Sequence, residues 1–545
     1  MVVNTAIFLL FACIISIDMN KRLSFISLLL ISISLSGCTL NFPKGDKPEG
    51  GEETPPPEEK EDIAEKGKLF DPYFDYEIRS KKEDVVYTDL FNLNNKVDVL
   101  IEADQEEMQK IEDDKQFGFK SEIYHLANKV TINLTNGSNT FSWEYENVGI
   151  RQKGNTSREE IFRDGHLNNH NHYKISFDET FTDPDMYSSD FITAHGNEEY
   201  KDRDFLGLTG LDFKWNRNED ETHIKEIYAS YMYQSAGIMS QHIGLTTLKI
   251  KVGSETTDFG LCFMYEQTSK SIIKRNFENN KKFINVPTWK EEKSGTYGVS
   301  GKKYGDYYKA TYGRGDGYSN SGGDLTTESI ERNRVGVKTD IYGAVYPAYE
   351  RKTNTDSDYN DILIKDMVNV LNNKTYNDIA EKVDLEYFAI EEAVSYFLGN
   401  PDSMRYNYNN YMMYFRRTDG KMMVMPIDND RCFGIGHTWD KGITFGTNVE
   451  TTPLSKKDVS GNNNRNPLLR KTILSSSSND CLTTYNQYID LISKSVWVSK
   501  DTFNHFFNIA KETYKNKATF NLNGGQDNIS FESYISIKLE SINRE

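Results

Sequence analysis

The chain has 545 residues, 37% of them apolar, and its 30 Phe and 33 Tyr supply enough aromatic area for a large core. By length it amounts to one large domain or two ordinary ones. The formal net charge of -18 comes from 82 acidic against 64 basic residues, without a long basic tract. This balance argues against nucleic acid as a partner.

The N-terminal segment predicts export. Residues 1–18 precede a better signal start, so we interpret them as an extension from a misassigned initiation site. Residues 19–37 form the predicted signal peptide, in which a basic start precedes an apolar run too short to span a membrane comfortably. The run ends in Leu35-Ser36-Gly37-Cys38, which resembles a bacterial lipobox. We therefore expect a lipid anchor at Cys38, on the outer face of the cell membrane. An ordinary signal peptide or an N-terminal membrane helix is the alternative.

Residues 38–67 are rich in Pro and Glu and predict a disordered tether, because such a composition cannot bury enough apolar area to offset its ordering entropy. A folded body is predicted over residues 68–545.

Short alternating stretches predict an antiparallel sheet in the first half of this body. Apolar residues alternate with polar ones in Val97–Ile101, Val130–Leu134 and Val148–Ile150. In Tyr173–Phe177 the same alternation places Lys174 on the face opposite the apolar side chains.

Helical patterns increase toward the C-terminus. A helix is predicted near 221–236, followed by strands at Leu248–Val252 and Gly260–Glu266. The segment Tyr297–Gly323 is dense in Gly, Tyr, Lys and Ser and predicts long surface loops. The remaining helices are predicted at Asn360–Leu371, Leu385–Leu398 and most of Pro467–Lys515. A sheet-rich half followed by a helix-rich half predicts an α+β fold with two lobes.

Acidic and amide side chains are concentrated on both sides of one predicted hairpin. Asp402 follows the end of a helix at Gly399–Pro401, and a hairpin is predicted from Tyr411 to Met425 around Asp419-Gly420. Because a hairpin returns to its own base, Asp402, with Asn407 or Asn410, should face Asp428 and Asp430.

Oxygen ligands of this kind suit Mg²⁺ or Mn²⁺, which complete their shells with water and phosphate oxygens. A loop Asp, an Asn five residues later and an Asp shortly before Phe-Gly also match the layout of a kinase catalytic loop and metal loop. The alternatives are a solvated turn and a structural Ca²⁺ site.

Several ordered motifs resemble the spore-coat protein H (CotH) kinase family, over roughly residues 95–500. The matching segments are Ile150–Ser157, His172–Phe177, Phe259–Leu261 with Tyr265-Glu266, Tyr308–Ala310, Tyr349–Thr353, Val383-Asp384 with Tyr387-Phe388, Asn400–Asp402 and Pro426–Gly434. The resemblance implies an atypical protein-kinase-like fold, with an N-lobe over about 95–290 and a C-lobe over about 290–545.

The resemblance also implies roles for individual residues. Lys174 contacts ATP phosphates, with Lys214 as the alternative, and Glu226 orients the lysine. The turn that contains Arg151, Lys153 and Gly154 lies over the nucleotide.

On the metal side, the resemblance makes Asp402 the catalytic aspartate. Asp428 and Asp430 are the principal metal ligands, joined by Asn407 or Asn410. Family members usually have Trp where Ile427 stands and Arg where Lys153 stands, and neither difference removes a metal ligand.

The expected function is therefore transfer of phosphate from ATP, with Mg²⁺ or Mn²⁺, to Ser or Thr of secreted, spore-coat or envelope proteins. Two alternatives keep the fold without transfer: a cell-surface binding or adhesion module, and a structural component of a spore or envelope layer.

Overall fold

The computed structural model describes residues 77–116, 121–154, 157–279, 286–297, 302–313, 322–331, 334–356, 359–435, 464–524 and 529–542. All of them belong to one compact unit, residues 61–545. The predicted lipidation residue Cys38, the signal peptide and most of the tether precede that unit, and all three lie outside the described ranges.

The fold mixes helices and sheets. The strands are β1 (Lys96–Ala103), β2 (His125–Asn136), β3 (Asn139–Gln152), β4 (Phe162–Arg163), β5 (His166–Leu167), β6 (Tyr173–Ser176), β7 (Gly210–Trp215), β8 (Ile243–Val252), β9 (Glu255–Glu266), β10 (Tyr307–Ala310), β11 (Val335–Gly336), β12 (Tyr349–Arg351), β13 (Tyr411–Phe415) and β14 (Met422–Pro426). The helices are α1 (Gln105–Asp114), α2 (Ser189–His195), α3 (Lys225–Ser235), α4 (Lys270–Asn279), α5 (Trp289–Ser294), α6 (Ile362–Asn373), α7 (Tyr376–Ala380), α8 (Leu385–Leu398), α9 (Pro467–Lys471), α10 (Asp480–Ser493), α11 (Lys500–Tyr514) and α12 (Phe531–Ile542). The predicted α+β class is confirmed.

A closed barrel forms the first half of the described chain, in the strand order β1-β2-β3-β6-β7-β9-β8. The predicted antiparallel pairing holds for β1 with β2 and for β2 with β3. The barrel closes through β1 and β8, which pair in parallel. Strand alternation decides which side chains lie inside, because successive residues point to opposite faces.

The interior of the barrel is apolar, and it includes Ile150, Tyr173, Ile175 and Phe213. The residues between them, Lys174 among them, therefore lie on the outer face, as the alternation predicted.

A second sheet, in the order β11-β12-β10-β13-β14, lies within a separate and larger hydrophobic cluster that includes most of the later helices. Its strand β10 corrects the prediction of surface loops over Tyr297–Gly323. Tyr307 and Tyr308 are fully buried, and β10 pairs with both β12 and β13. The sequence pattern missed this strand because it is only four residues long and lies among Gly-rich segments.

The later helices agree with their patterns. Helix α8 begins at the predicted N-cap, since the Asp384 side chain accepts a hydrogen bond from the Tyr387 N–H. It ends at Gly399, which adopts left-handed backbone (φ 59°). None of the helices in the described ranges is long and apolar enough to cross a membrane.

Candidate functional site

Lys214 lies at the centre of the site. It is near the end of β7 and on the outer face of the barrel, because its neighbour Phe213 points into the core. Its Nζ lies 2.5 Å from Asp428 Oδ1 and 3.2 Å from Asp430 Oδ2. Only 8% of the Lys214 side chain is exposed, so this ammonium is held by carboxylates more than by water.

Helix α3 contributes a third carboxylate. Glu226, in its first turn, lies 4.0 Å from the Lys214 ammonium and is buried. The Tyr265 hydroxyl, from β9, donates a 2.5 Å hydrogen bond to Glu226 Oε2, and the Lys214 Nζ lies 4.9 Å from the centre of the Tyr265 ring. Burial raises the pKa of Glu226 to about 7. The structure thus pairs Glu226 with Lys214.

The charges at this site reinforce one another. Burial opposes the charged form of Lys214, but Asp428, Asp430 and Glu226 together raise its pKa well above the ordinary value. Burial likewise opposes ionisation of Asp428, yet Lys214 and Lys153 lower the pKa of Asp428 well below its usual range. The lysine therefore stays cationic and Asp428 stays anionic.

The hairpin β13–β14 brings two distant loops together, as its sequence predicted. Tyr411 pairs with Pro426 at its base, and the Ile427 N–H donates to the Asn410 carbonyl at 3.0 Å. Asn410 and Asp428 both adopt left-handed backbone there, with φ values of 55° and 58°. Asn and Asp tolerate this conformation better than other non-glycine residues. The hairpin base thus places Asp428 beside Lys214.

Hydrogen bonds from asparagine side chains hold the loop that contains Asp402. Asn407 Nδ2 donates a 2.6 Å hydrogen bond to Asp402 Oδ1, and Asn410 Nδ2 donates to the Asp402 carbonyl at 2.9 Å. Asn400 joins this loop to the other side, since its Nδ2 donates to the Asp428 carbonyl at 3.3 Å. Burial, and then the charges of Asp428 and Asp430, raise the pKa of Asp402, against the lowering effect of Asn407.

The other predicted nucleotide contacts lie on the same outer face but pair differently. Lys153 Nζ is 2.8 Å from Asp212 Oδ2, and Lys174 Nζ is 4.0 Å from Asp212 Oδ1. Arg151, on β3, contacts Glu122 at 2.9 Å. The contact of Lys174 with ATP phosphates stays a prediction. The carboxylate of Glu226 lies beside Lys214.

The predicted glycine turn is tightly packed. Gly154 has left-handed backbone (φ 108°), and a side chain there would collide with Ser157. The His172 ring lies beside the same position. A glycine is therefore required for this turn, whatever the turn contacts.

The oxygen donors of the site suit a divalent metal only if water or phosphate supplies further ligands. Within the described ranges, no three His, Cys, Asp or Glu side chains are grouped closely enough to hold a metal ion by themselves. Asp428 and Asp430 are 47% and 28% exposed, and each uses only one carboxylate oxygen for Lys214. The remaining carboxylate oxygens and the amide oxygen of Asn407 or Asn410 are hard donors of the kind that Mg²⁺ or Mn²⁺ binds together with water or phosphate. The residues therefore fit the ion.

Two residues of the site were not predicted from sequence. Asp212 joins Lys153 and Lys174, and Tyr265 lies under both the Lys153 and the Lys214 ammonium groups, 4.7 and 4.9 Å from them. The alternation Asp212-Phe213-Lys214 was the available signal. It places the acid and the lysine on one face of a strand whose middle residue is apolar.

These features define an α+β protein in which a buried lysine is held between carboxylates at the base of a hairpin, an arrangement suited to phosphate chemistry. The family model described as CotH kinase protein matches residues 150–516. The chain belongs to this family, and the membership suggests a kinase-like role, which in general implies ATP and a divalent metal. A search of curated proteins found no match.

Proposed function

We propose that this protein transfers phosphate from ATP, with Mg²⁺ or Mn²⁺, to Ser or Thr of secreted, spore-coat or envelope proteins. It acts on the outer face of the cell membrane, anchored through a lipid on Cys38. The observation that carries the proposal is the position of Lys214, between Asp428 and Asp430 and beside Glu226, in a chain of a kinase family.

Lys214 supplies fixed positive charge for the phosphate groups of ATP. Charge placed in advance in a partly dry site stabilises the transfer step, because no solvent must reorganise as the reaction proceeds. Asp428 and Asp430, with Asn407 or Asn410, would hold the metal ion, which when bound neutralises charge on the phosphate oxygens.

Asp402 is the residue proposed to orient the acceptor hydroxyl and accept its proton. The hydrogen bond from Asn407 fixes one carboxylate oxygen and leaves the other for the hydroxyl. The bond from Asn400 to the Asp428 carbonyl keeps this loop in register with the metal ligands.

A cavity of about 20 Å³ adjoins Lys214 and Asp430, and its walls include Trp215, Arg217 and Phe263. Small-molecule sites have volumes of about 300 Å³ or more, so this cavity is too small for a nucleoside. The proposal therefore places only the phosphates of ATP beside Lys214.

The proposal includes a two-lobed, kinase-like arrangement. Two separate hydrophobic clusters support it: one inside the barrel, and one around the second sheet and the helices. Lys214 comes from the barrel, whereas Asp402, Asp428 and Asp430 come from the part around the hairpin, so the site would lie where the lobes meet.

The direct test is phosphate transfer by the full chain purified in mild detergent. Labelled ATP with Mg²⁺ or Mn²⁺ should label the chain itself or an exported protein, and acid hydrolysis should yield phosphoserine or phosphothreonine. Asp402→Asn and Asp428→Asn should each lower the rate by at least about 100-fold. Asp490→Asn, an exposed residue paired with Lys494, is the matched control. Full transfer by either site variant would refute the assignment.

A further inference from the structure

The last part of the described chain packs beside the candidate site. It comprises residues 519–524 and 529–542, which include helix α12, and it is called here the C-terminal segment. The family model matches residues 150–516, so the C-terminal segment follows the matched region. Its contacts with the site therefore go beyond what membership of the family implies.

A buried lysine connects the C-terminal segment to helix α3 and to the loop that follows the hairpin. Lys225 is fully buried and lies beside Glu226 in the first turn of α3. Its Nζ donates to the Ile529 carbonyl at 2.9 Å and to the Phe433 carbonyl at 3.0 Å. Phe433 is the third residue after Asp430. One ammonium group thus holds two distant segments of main chain together.

The two carbonyls offset the cost of burying this ammonium. A buried charge is costly unless it is hydrogen-bonded, and removing one partner leaves part of that cost uncompensated. Burial lowers the pKa of Lys225, although Asp220 favours the charged form. The position of the Phe433 carbonyl is therefore linked energetically to that of the Ile529 carbonyl.

Residues 427–434, called here the Asp430 loop, include one residue with strained backbone. Phe433 adopts left-handed φ of 51°, which is unfavourable for a bulky side chain. Its N–H donates to the Leu398 carbonyl at 2.8 Å, at the end of helix α8, and its carbonyl accepts from Lys225. Strained backbone persists only where the surrounding structure fixes it. The Asp430 loop therefore depends on both α3 and α8 for its position.

Aromatic contacts add the C-terminal segment to the same junction. The centre of the Phe531 ring lies 5.2 Å from that of Phe433 and 5.3 Å from that of Tyr228, on α3. The Tyr534 ring lies 6.1 Å from Phe433, and its hydroxyl occupies the space beside Gly399 that a side chain there would need. All four rings are buried. The C-terminal segment thus contacts α3, the Asp430 loop and the end of α8 together.

The first residues of the C-terminal segment hold the chain that leads into α3. The Asn521 N–H donates to the Glu221 carbonyl at 2.8 Å, and Asn521 Nδ2 donates to the Glu221 carboxylate at 2.8 Å. The Phe520 ring lies 4.8 Å from the His223 ring. Helix α3, which carries Glu226, is therefore held by this segment before its first turn as well as along its length.

We propose that the C-terminal segment positions the catalytic site, and that Lys225 is the positioning residue that connects the two. The segment holds the Asp430 loop against α3 and α8, so that Asp428 and Asp430 stay beside Lys214. This proposal rests on the proposed function only for its effect on phosphate transfer. The hold on the loop does not depend on that function.

Hydrogen–deuterium exchange of the full chain in mild detergent tests the proposal without turnover. Phe531→Leu removes the ring contact with Phe433, and Lys225→Met removes both hydrogen bonds with little change in side-chain length. Each variant should make peptides from the Asp430 loop exchange at least about tenfold faster. Peptides from strands β2 and β3 should stay within about twofold of the unaltered chain. Two separate variants keep the test decisive if one does not fold.

Each variant has a matched control. Phe205→Leu tests lost packing, because Phe205 is buried and its ring lies 5.3 Å from the Trp143 ring in the barrel. Lys251→Met tests the loss of a lysine, since Lys251 is a strand lysine that pairs with Glu102 away from the site. Both should leave exchange of the Asp430 loop within about twofold of the unaltered chain.

Two exchange results would overturn the proposal. One is an Asp430 loop that exchanges no faster in Phe531→Leu and Lys225→Met. The other is a uniform rise that includes β2 and β3, because a general loss of stability would then explain the change.

Phosphate transfer separates this inference from the proposed function. In an active chain, Lys225→Met and Phe531→Leu should lower kcat at least about tenfold and raise KM for ATP less than about threefold, because the misplaced groups act mainly in the transfer step. Unreduced kcat in both variants would overturn the positioning role. A chain that transfers no phosphate, but whose Asp430 loop loosens in both variants, would refute the proposed function and support the hold on the loop.

Discussion

The outer face of the barrel carries two lysines on adjacent strands, and their electrostatic states are opposite. Lys214 lies between Asp428 and Asp430, which, against the effect of burial, raise its pKa well above the ordinary value. Within the described ranges Lys174 pairs with one carboxylate, Asp212 at 4.0 Å, and burial lowers the pKa of Lys174 to about 8. The number of nearby carboxylates, and not the strand position, therefore decides which lysine is a fixed positive charge.

The comparison is tested most strongly by removing each lysine in turn. Lys214→Met should lower the rate of phosphate transfer by at least about 100-fold, because the charge nearest the transferred group is lost. Lys174→Met should cost less than about tenfold at saturating acceptor, because this lysine lies outside the carboxylate pair. Initial rates with labelled ATP measure both, with Lys251→Met as control. A larger loss for Lys174→Met would reverse the assignment of the two lysines.

The position of the Asp402 carboxylate depends on the backbone that precedes it. Gly399 has left-handed φ, and a side chain there would collide with Tyr534. Gly399→Ala should therefore lower the free energy of unfolding by about 2 kcal/mol or more, measured by urea denaturation. Gly253→Ala has the same left-handed φ but open space around it, so it isolates the backbone strain at about 1 kcal/mol. Equal losses would show that the Tyr534 contact is unimportant.

Glu226 tests whether the third carboxylate positions Lys214. Glu226→Gln keeps the shape of the side chain and, at pH 8, above the Glu226 pKa of about 7, removes a negative charge 4.0 Å from the ammonium. We expect kcat to fall about tenfold while KM for ATP changes little, because the lysine loses its orientation more than its contact with substrate. Glu102→Gln, on the far side of the barrel, is the control. A change confined to protein stability would mean that Glu226 is structural.

Replacing Lys174 and replacing Lys214 should shift Tm in opposite directions. Because the pKa of Lys174 is about 8 when folded and ordinarily 10.5, the folded state binds fewer protons between these values, and ionised Lys174 is destabilising below pH 8. Lys174→Met should raise Tm at pH 7, and the gain should vanish near pH 10.5. Lys214→Met should lower Tm at pH 7, since it leaves Asp428 and Asp430 without their cation. Calorimetry across this range would contradict the comparison if both variants shifted Tm in one direction.

Much of the candidate site could be predicted because it is local. The hairpin between Tyr411 and Met425 returns to its base by its own turn, so Asp402, Asn410 and Asp428 meet without any distant contact. The helix end at Gly399 was predicted for the same reason. Both candidate asparagine ligands hold Asp402: Asn407 binds its carboxylate and Asn410 its carbonyl.

The sequence could not show which lysine pairs with these carboxylates. Lys214 and Asp428 are 214 positions apart, and no periodicity links them. The order of the motifs favoured Lys174, because its strand resembles the family pattern. Strand β10 was predicted as a loop, because its four residues are too few to show an alternation among Gly-rich segments.

By itself the sequence determined the α+β class, the inner and outer faces of the barrel strands, and the local acidic site, because alternation, capping and hairpin turns act within a few residues. Only the tertiary structure decided that Lys214 and not Lys174 meets Asp428 and Asp430. Coulomb energies follow the distances between charges in the folded chain, not their positions along it.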